Sequence, residues 1–232
     1  MLELFPDGFE EVDAAADATE LIAYTTPAGE ERLWHAFGGA RGADVDAGWE
    51  DRWRDFHRPV RVGPLWIGPP WETAPRDAIA VVIDPGRAFG TGAHATTRLC
   101  LELLLELDRG SVLDVGCGSG VLSIAAALLG HGPVRAIDVE DAAVEATRAN
   151  ARANGVAIDA RRADATAGDL PASELVLANI ALETVIGLGP RLDAARVITS
   201  GYLAGDEPEL PGYRRTGRRA ADGWAADLHE RA

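Results

Sequence analysis

The 232-residue sequence has no Lys and no Gln, only three Asn (Asn150, Asn154 and Asn179), two Cys and one Met. Cys100 and Cys117 are too few for a disulfide framework and lack metal-site spacing, so no metal is expected and a reducing cytoplasm is the expected setting. Long apolar runs are missing as well. The most apolar stretch, Val121 to Leu129, has nine residues and includes Ser123, far short of a membrane span, and no membrane partner is expected. The N-terminus, MLELFPDGFEEVD, has neither a basic start nor an apolar core, unlike a secretory signal. Positive charge is scarce: 22 Arg against 37 Asp plus Glu leaves −15. Holding phosphates needs a basic footprint, so direct nucleic-acid binding is not expected.

What is present describes a globular protein. Hydrophobic residues make up 47% and charged residues 25%, ordinary values for a folded chain. The length suits one sizeable domain, or one plus a smaller module. Charge is uneven: residues 1–31 hold nine acids and no base, and the remaining 28 acids and 22 Arg give −6. An acidic N-terminal piece either meets a basic partner through complementary potential or is a solvated face.

Within 1–58 the pattern predicts a strand near Glu20–Thr25, a helix near Glu30–Phe37 and a helix from about Asp46 to His57. The last carries Trp49, Trp53 and Phe56 on one face, taken as packing. Five of the thirteen prolines (Pro59, Pro64, Pro69, Pro70 and Pro75) fall within 17 residues. Proline fixes φ and donates no hydrogen bond. Residues 59–77 are therefore expected to be a stiff connector with at most a short edge strand at Leu65–Ile67. From residue 78 onward, apolar runs alternate with helical segments. Strands are expected at Ile79–Ile83, Ser111–Val115, Val134–Val139, Glu174–Ala178 and Arg196–Ser200. Helices are expected around Leu99–Leu107, Val121–Leu129, Asp141–Asn154 and Leu182–Leu192. Such alternation means a mostly parallel, doubly wound α/β sheet, and segments near Tyr213–Arg215 and Gly223–His229 are expected to close it as an antiparallel pair.

The strongest local signal is Val112-Leu-Asp-Val-Gly-Cys-Gly-Ser-Gly120, an apolar strand running into Gly116, Gly118 and Gly120 just before a helix. Glycines allow a sharp turn that brings backbone close to a ligand at the helix N-terminus. Asp138 ends the next strand, 22 residues beyond Gly116, where an acid accepts hydrogen bonds from ribose hydroxyls. Together these predict a nucleoside-cofactor site. Dinucleotide enzymes favour G-x-G-x-x-G; here the spacing is G-x-G-x-G, with Asp114 two residues before the first glycine. This resembles the first motif of Rossmann-like S-adenosylmethionine (SAM) methyltransferases. In that setting Asp114 holds the amino-acid end of SAM, directly or through water.

Two further segments narrow the resemblance. Asp84-Pro-Gly-Arg-Ala-Phe-Gly-Thr-Gly-Ala-His-Ala-Thr-Thr97 and Leu175-Val-Leu-Ala-Asn-Ile180 are similar to segments of the ribosomal protein L11 methyltransferase (PrmA-like) family. Ser200-Gly-Tyr-Leu-Ala204, Leu4–Glu11 and Trp49–Trp71 extend the likeness to nearly the whole chain. Departures are Ala95 where the family usually has Pro, and Ala181-Leu182 where it often has Leu-Ala. The N-terminal region also starts later than in family members. The resemblance implies SAM contacts at Thr97, Gly116, Asp138 and Asn179, with Asp114 and Gly118 in the same cradle. Thr97 either touches the cofactor's carboxylate or only caps a helix, and Asn179 either orients an incoming amine or simply sits in a turn. Phe89 packs either on the cofactor or within the linker. His94 is a candidate base or a structural hydrogen-bonding group. Cys117, with no identifiable base, is taken as packing.

The implied architecture is an acidic, shortened substrate-recognition module (1–58), a Pro-rich linker (59–77) and a Rossmann-like SAM methyltransferase domain (78–232). The implied activity is protein N-methylation, on Lys side chains and an N-terminal amine of a basic ribosomal protein, by a monomer. Two alternatives stand beside it. One is a related methyltransferase acting on another protein Lys or a small amine; the other is a SAM-binding interaction module without catalysis.

Overall fold

The computed structural model describes residues 10–14, 18–22, 33, 34, 36, 37, 57–85 and 92–232. Contacts divide the chain into two compact units, Met1–Trp53 and Arg54–Ala232. In the first, β1 (Glu10–Ala14) pairs antiparallel with β2 (Ala18–Ile22), and Leu33, Trp34, Ala36 and Phe37 are helical. The expected helix carrying Trp49, Trp53 and Phe56 lies outside the described residues.

The second unit is built on a seven-stranded sheet. Its strands are β6 (Val112–Val115), β7 (Val134–Asp138), β8 (Asp159–Arg162), β9 (Leu175–Asn179), β10 (Arg196–Leu203), β11 (Tyr213–Ala221) and β12 (Trp224–Arg231). They are ordered β11-β12-β10-β9-β6-β7-β8. Pairings from β10 through to β8 are parallel, and β12 runs antiparallel to β10 and β11. This is the expected mostly parallel, doubly wound sheet with a closing antiparallel pair. The helices are α1 (Ala95–Leu104), α2 (Val121–Leu128), α3 (Asp141–Ala153) and the short α4 (Leu182–Leu188).

Alternation along the strands supplies two cores, one per face. Val112, Leu175, Leu177 and Ile198 face α1 and α2, whereas Leu113, Val115, Val176 and Ala178 face Leu188, Leu192 and Leu210. Full burial of each Leu or Val side chain contributes about 1.5–3 kcal/mol, so the sheet is held from both sides. Going outward from β6, the chain moves to β7 on one side and to β9 on the other. In such sheets a reversal of this kind forms a crevice where ligands bind, and here it falls at the carboxyl ends of β6 and β9.

Three features differ from the sequence expectation. The Pro-rich stretch is more than a connector with an edge strand: β3 (Val60–Val62), β4 (Leu65–Gly68) and β5 (Ile79–Val82) form a sheet in which β4 is central. Its prolines flank the strand rather than interrupt it. Leu65 and Ile67 are buried in the same core as Leu99 and Leu103 of α1. Strand β8, Asp-Ala-Arg-Arg, buries only Ala160 and so carries no hydrophobic signature. Strand β11 runs to Ala221 and is an edge strand rich in Arg, which discourages edge-to-edge pairing. Its hairpin turns through Asp222 and Gly223, both at positive φ (52° and 80°), as a two-residue type I′ turn requires.

Candidate functional site

On one side of the crevice the chain leaves β6 and wraps the end of β7. Gly116, Gly118 and Gly120 take φ of 73°, 53° and 84°, the left-handed region where glycine carries no Cβ penalty. Gly116 and Cys117 N–H donate to the Ile137 carbonyl at 2.8 and 3.1 Å, and Gly118 N–H donates to Asp138 Oδ2 at 3.0 Å. Asp138 Oδ1 accepts from Glu140 N–H at 3.0 Å, so both carboxylate oxygens are aimed by backbone. Val139, the next residue, is 55% exposed.

Asp114 is only 1% exposed. Its Oδ2 accepts from Ser123 Oγ at 2.5 Å and Ser123 N–H at 3.1 Å, satisfying a backbone donor in the first turn of α2 that Gly120, lacking a side chain, leaves free. Burial pushes the Asp114 carboxyl up to about 6, against the bonds from Ser123, with the nearby Asp138 charge adding to the rise. Burial likewise pushes the Cys117 thiol up to about 12, which keeps it protonated and agrees with its reading as packing.

Helix α3 holds this loop from behind. Thr147 Oγ1 donates to the Gly118 carbonyl at 3.0 Å, and Asn150 Nδ2 donates to the Ser119 carbonyl at 2.9 Å. Asn150 Oδ1 also accepts from Asp84 N–H, and the Asn154 amide closes a pair of bonds with the Val82 backbone at 2.8 and 2.7 Å. Sequence reasoning missed these anchors. The available signal was the rarity of Asn in the chain: all three are hydrogen-bonded in or behind the site.

On the other side, α1 begins and β9 ends. His94 is the N-cap of α1: its Nδ1 accepts from Thr96 N–H at 3.4 Å and lies 2.8 Å from Thr96 Oγ1. Asn179 Nδ2 donates to Thr96 Oγ1 at 3.2 Å and to Thr97 Oγ1 at 3.5 Å, joining positions 83 and 82 residues apart. Thr96 and Thr97 are buried and Asn179 is partly exposed.

The structure therefore brings Thr97, His94 and Asn179 together on one side, and Gly116, Gly118, Asp114 and Asp138 on the other. The sides meet at Gly116, where an added Cβ would stand 2.3 Å from Ile180 Cγ2, directly after Asn179. Phe89 lies outside the described residues. Two surface hollows of about 450 and 530 Å³ flank β8 and contain none of the proposed site residues, so chemistry rather than cavity size locates the site. Among the described residues no group of acids, His or Cys is arranged to hold a metal, and no helix is long and apolar enough to cross a membrane.

Comparison with known proteins bears on the same stretch. The family model for "Ribosomal protein L11 methyltransferase (PrmA)" matches residues 10–210. The chain is 43% identical over 194 residues to the ribosomal protein L11 methyltransferase of Ectopseudomonas mendocina (strain ymp), covering 79% of this chain and 63% of that one. With the Legionella pneumophila (strain Lens) protein of the same name it is 41% identical over 175 residues, covering 72% and 61%. The chain thus spans somewhat less than two thirds of the length of these relatives. A crystal structure of the ribosomal protein L11 methylase from Lactobacillus delbrueckii subsp. bulgaricus superposes with a TM-score of 0.68 at 30% identity, over 75% of this chain and 99% of that one. The sheet order, the loop after β6 and a family match spanning most of the sequence agree: this chain belongs to the ribosomal protein L11 methyltransferase family and has its Rossmann-like class I methyltransferase fold.

Proposed function

We propose that the chain is a SAM-dependent protein N-methyltransferase whose acceptors are amino groups, Lys side chains and the N-terminal amine, of ribosomal protein L11. The observation that carries this reading is the placement of the Asn179 amide, held by Thr96 and Thr97, beside the Gly116–Asp138 cradle. Membership of the family supports the acceptor.

The residues fit such a cofactor. A carboxylate offers about four lone-pair positions, and each Asp138 oxygen accepts one backbone N–H, which leaves room for two ribose hydroxyls. Val139, which follows Asp138 in the chain, is exposed and offers an apolar side chain to the adenine. Asp114, Thr97 and the glycine loop suit the amino-acid end, where an acid would repel the pyrophosphate of a dinucleotide. When bound, SAM supplies an electrophilic methyl group on a sulfonium.

What the protein contributes is alignment and a dry pocket. A Lys amine, with a pKa of about 10.4 in water, reacts only after losing its proton. Entry into a desolvated crevice lowers that pKa, so no strong side-chain base is needed. Asn179, at the end of β9, offers its Oδ1 to a proton of the incoming amine and so turns the nitrogen lone pair toward the methyl. The free, buried Cys100 and Cys117 suit a reducing cytoplasm.

The test is mass spectrometry of purified ribosomal protein L11 after incubation with this chain and SAM. Mass increases of whole methyl groups on Lys or the N-terminus are expected. No increase, with SAM binding intact by calorimetry, overturns the acceptor; absence of SAM binding overturns the cofactor.

A further inference from the structure

An Asn amide can face either way, because its oxygen and nitrogen ends have the same shape, and only its hydrogen-bond partners decide. The partners of Asn179 are two Thr hydroxyls, and a hydroxyl both donates and accepts. Something further along must therefore fix the direction. That something is His94. As N-cap of α1 its Nδ1 accepts the Thr96 N–H at 3.4 Å, so in this arrangement Nδ1 faces Thr96 as an acceptor. Thr96 Oγ1, 2.8 Å away, then directs its own proton to Nδ1 and presents only lone pairs to Asn179. The NH2 end of the amide is drawn to Thr96 at 3.2 Å, and Oδ1 is left pointing away from the threonines.

The imidazole is itself held. The Trp224 ring meets it edge-on, with centroids 4.9 Å apart and planes at 71°, a favoured aromatic geometry. Trp224 opens β12 just after the Asp222–Gly223 turn, and Arg98 of α1 grips the same turn through Asp222 at 2.5 Å. The hairpin tip thus meets the ring, the ring meets a hydroxyl, and the hydroxyl meets the amide.

We propose that Thr96 is a positioning residue for methyl transfer: it relays the orientation of His94, braced by Trp224, to the Asn179 amide and so aims Oδ1 at the acceptor amine. In this arrangement His94 is a positioning group rather than a base. The inference rests on the functional reading above, and its test separates the two.

The sequence makes the experiment clean, because with three Asn and no Gln the protein has only three side-chain carboxamide groups. Asn150 and Asn154 are bonded to backbone and serve as internal references. In 15N-labelled protein without SAM, the Asn179 pair is identified by its loss in Asn179→Asp. Thr96→Val is expected to shift that pair and speed its exchange with water while leaving the other two in place, and Thr96→Ser is expected to restore it. With SAM and ribosomal protein L11, Thr96→Val is expected to lower kcat about tenfold, the size of one lost orienting hydrogen bond, with SAM affinity unchanged. Thr96→Ser should recover most of that rate, and His94→Phe combined with Thr96→Val should be no slower than Thr96→Val alone. An unmoved Asn179 amide, or an undiminished kcat in Thr96→Val, overturns the inference. A further full loss from His94→Phe in the Thr96→Val background also overturns it, since it returns His94 to an independent role. Failure of the wild-type chain to methylate L11 overturns the functional reading instead, and the amide signals then still decide whether Thr96 orients Asn179.

Discussion

The two sides of the crevice are built by different means. After β6, backbone does most of the work: three glycines at positive φ wrap the end of β7, and the loop's own N–H groups aim Asp138. Between α1 and β9, side chains do it, through bonds from Asn179 to Thr96 and Thr97 and from Thr96 to His94. The first construction makes a cradle closed to an added Cβ at Gly116 and Gly120. The second is a set of orientable groups whose direction depends on their neighbours. A cofactor that must bind the same way each time suits the first, and an acceptor amine that must be turned to a single reacting line suits the second.

Breaking each side separately should therefore damage different steps. Asn179→Ala removes the oriented amide and is expected to lower kcat about a hundredfold, as loss of one preorganised polar group at a reacting centre does, with a smaller change in SAM affinity. Steady-state kinetics beside calorimetry will show it, and a pure affinity defect would erase the distinction between the sides. Gly116→Ala forces a Cβ onto a residue at φ 73° and against Ile180. The left-handed conformation costs about 1–2 kcal/mol and overpacking about 1–3 kcal/mol, so SAM affinity should fall more than tenfold and the melting temperature should drop. Because Ile180 follows Asn179, this variant should also slow turnover at saturating SAM, the one backbone change expected to reach across the crevice.

Asp138→Asn keeps the shape and weakens charged hydrogen bonds, with an expected loss in SAM affinity of about tenfold and little change in kcat at saturation. The last effect, on stability rather than on cofactor affinity or turnover, concerns Asp114. Its carboxyl is raised to about 6 from an ordinary value of 3.8, so the folded state binds the proton more tightly than the unfolded chain. This group's contribution to stability is therefore most favourable below pH 4 and falls as pH rises toward 6. Denaturant unfolding of Asp114→Asn should lack that component, giving a stability profile that falls less, or rises more, between pH 4 and 6 than the wild type. An identical slope would mean that Asp114 is not strained by its burial.

The glycine side was legible in the sequence because its cause is local. Gly116, Gly118, Gly120 and the acid 22 residues later are written in one strand–loop–helix–strand unit, and backbone chemistry dictates what they form. Alternation of apolar runs likewise gave the parallel sheet and the closing hairpin. Strand β8 escaped notice because an edge strand with one buried residue needs no hydrophobic pattern. The role of β4 escaped because the composition of the stretch was dominated by its flanking prolines, while its burial comes from α1, more than thirty residues away.

The sequence by itself determined the fold class, the cradle after β6 and the candidate residues on both sides of the crevice, since each follows from local conformational preference or from residue type at fixed spacing. Only the tertiary structure decided what those residues do to one another. Asn179 meets Thr96 across 83 positions, and His94 meets Trp224 across 130, because parallel strands and a returning hairpin end at the same edge of one sheet. No local propensity encodes such meetings; they are set by the order of the strands and the burial that holds it.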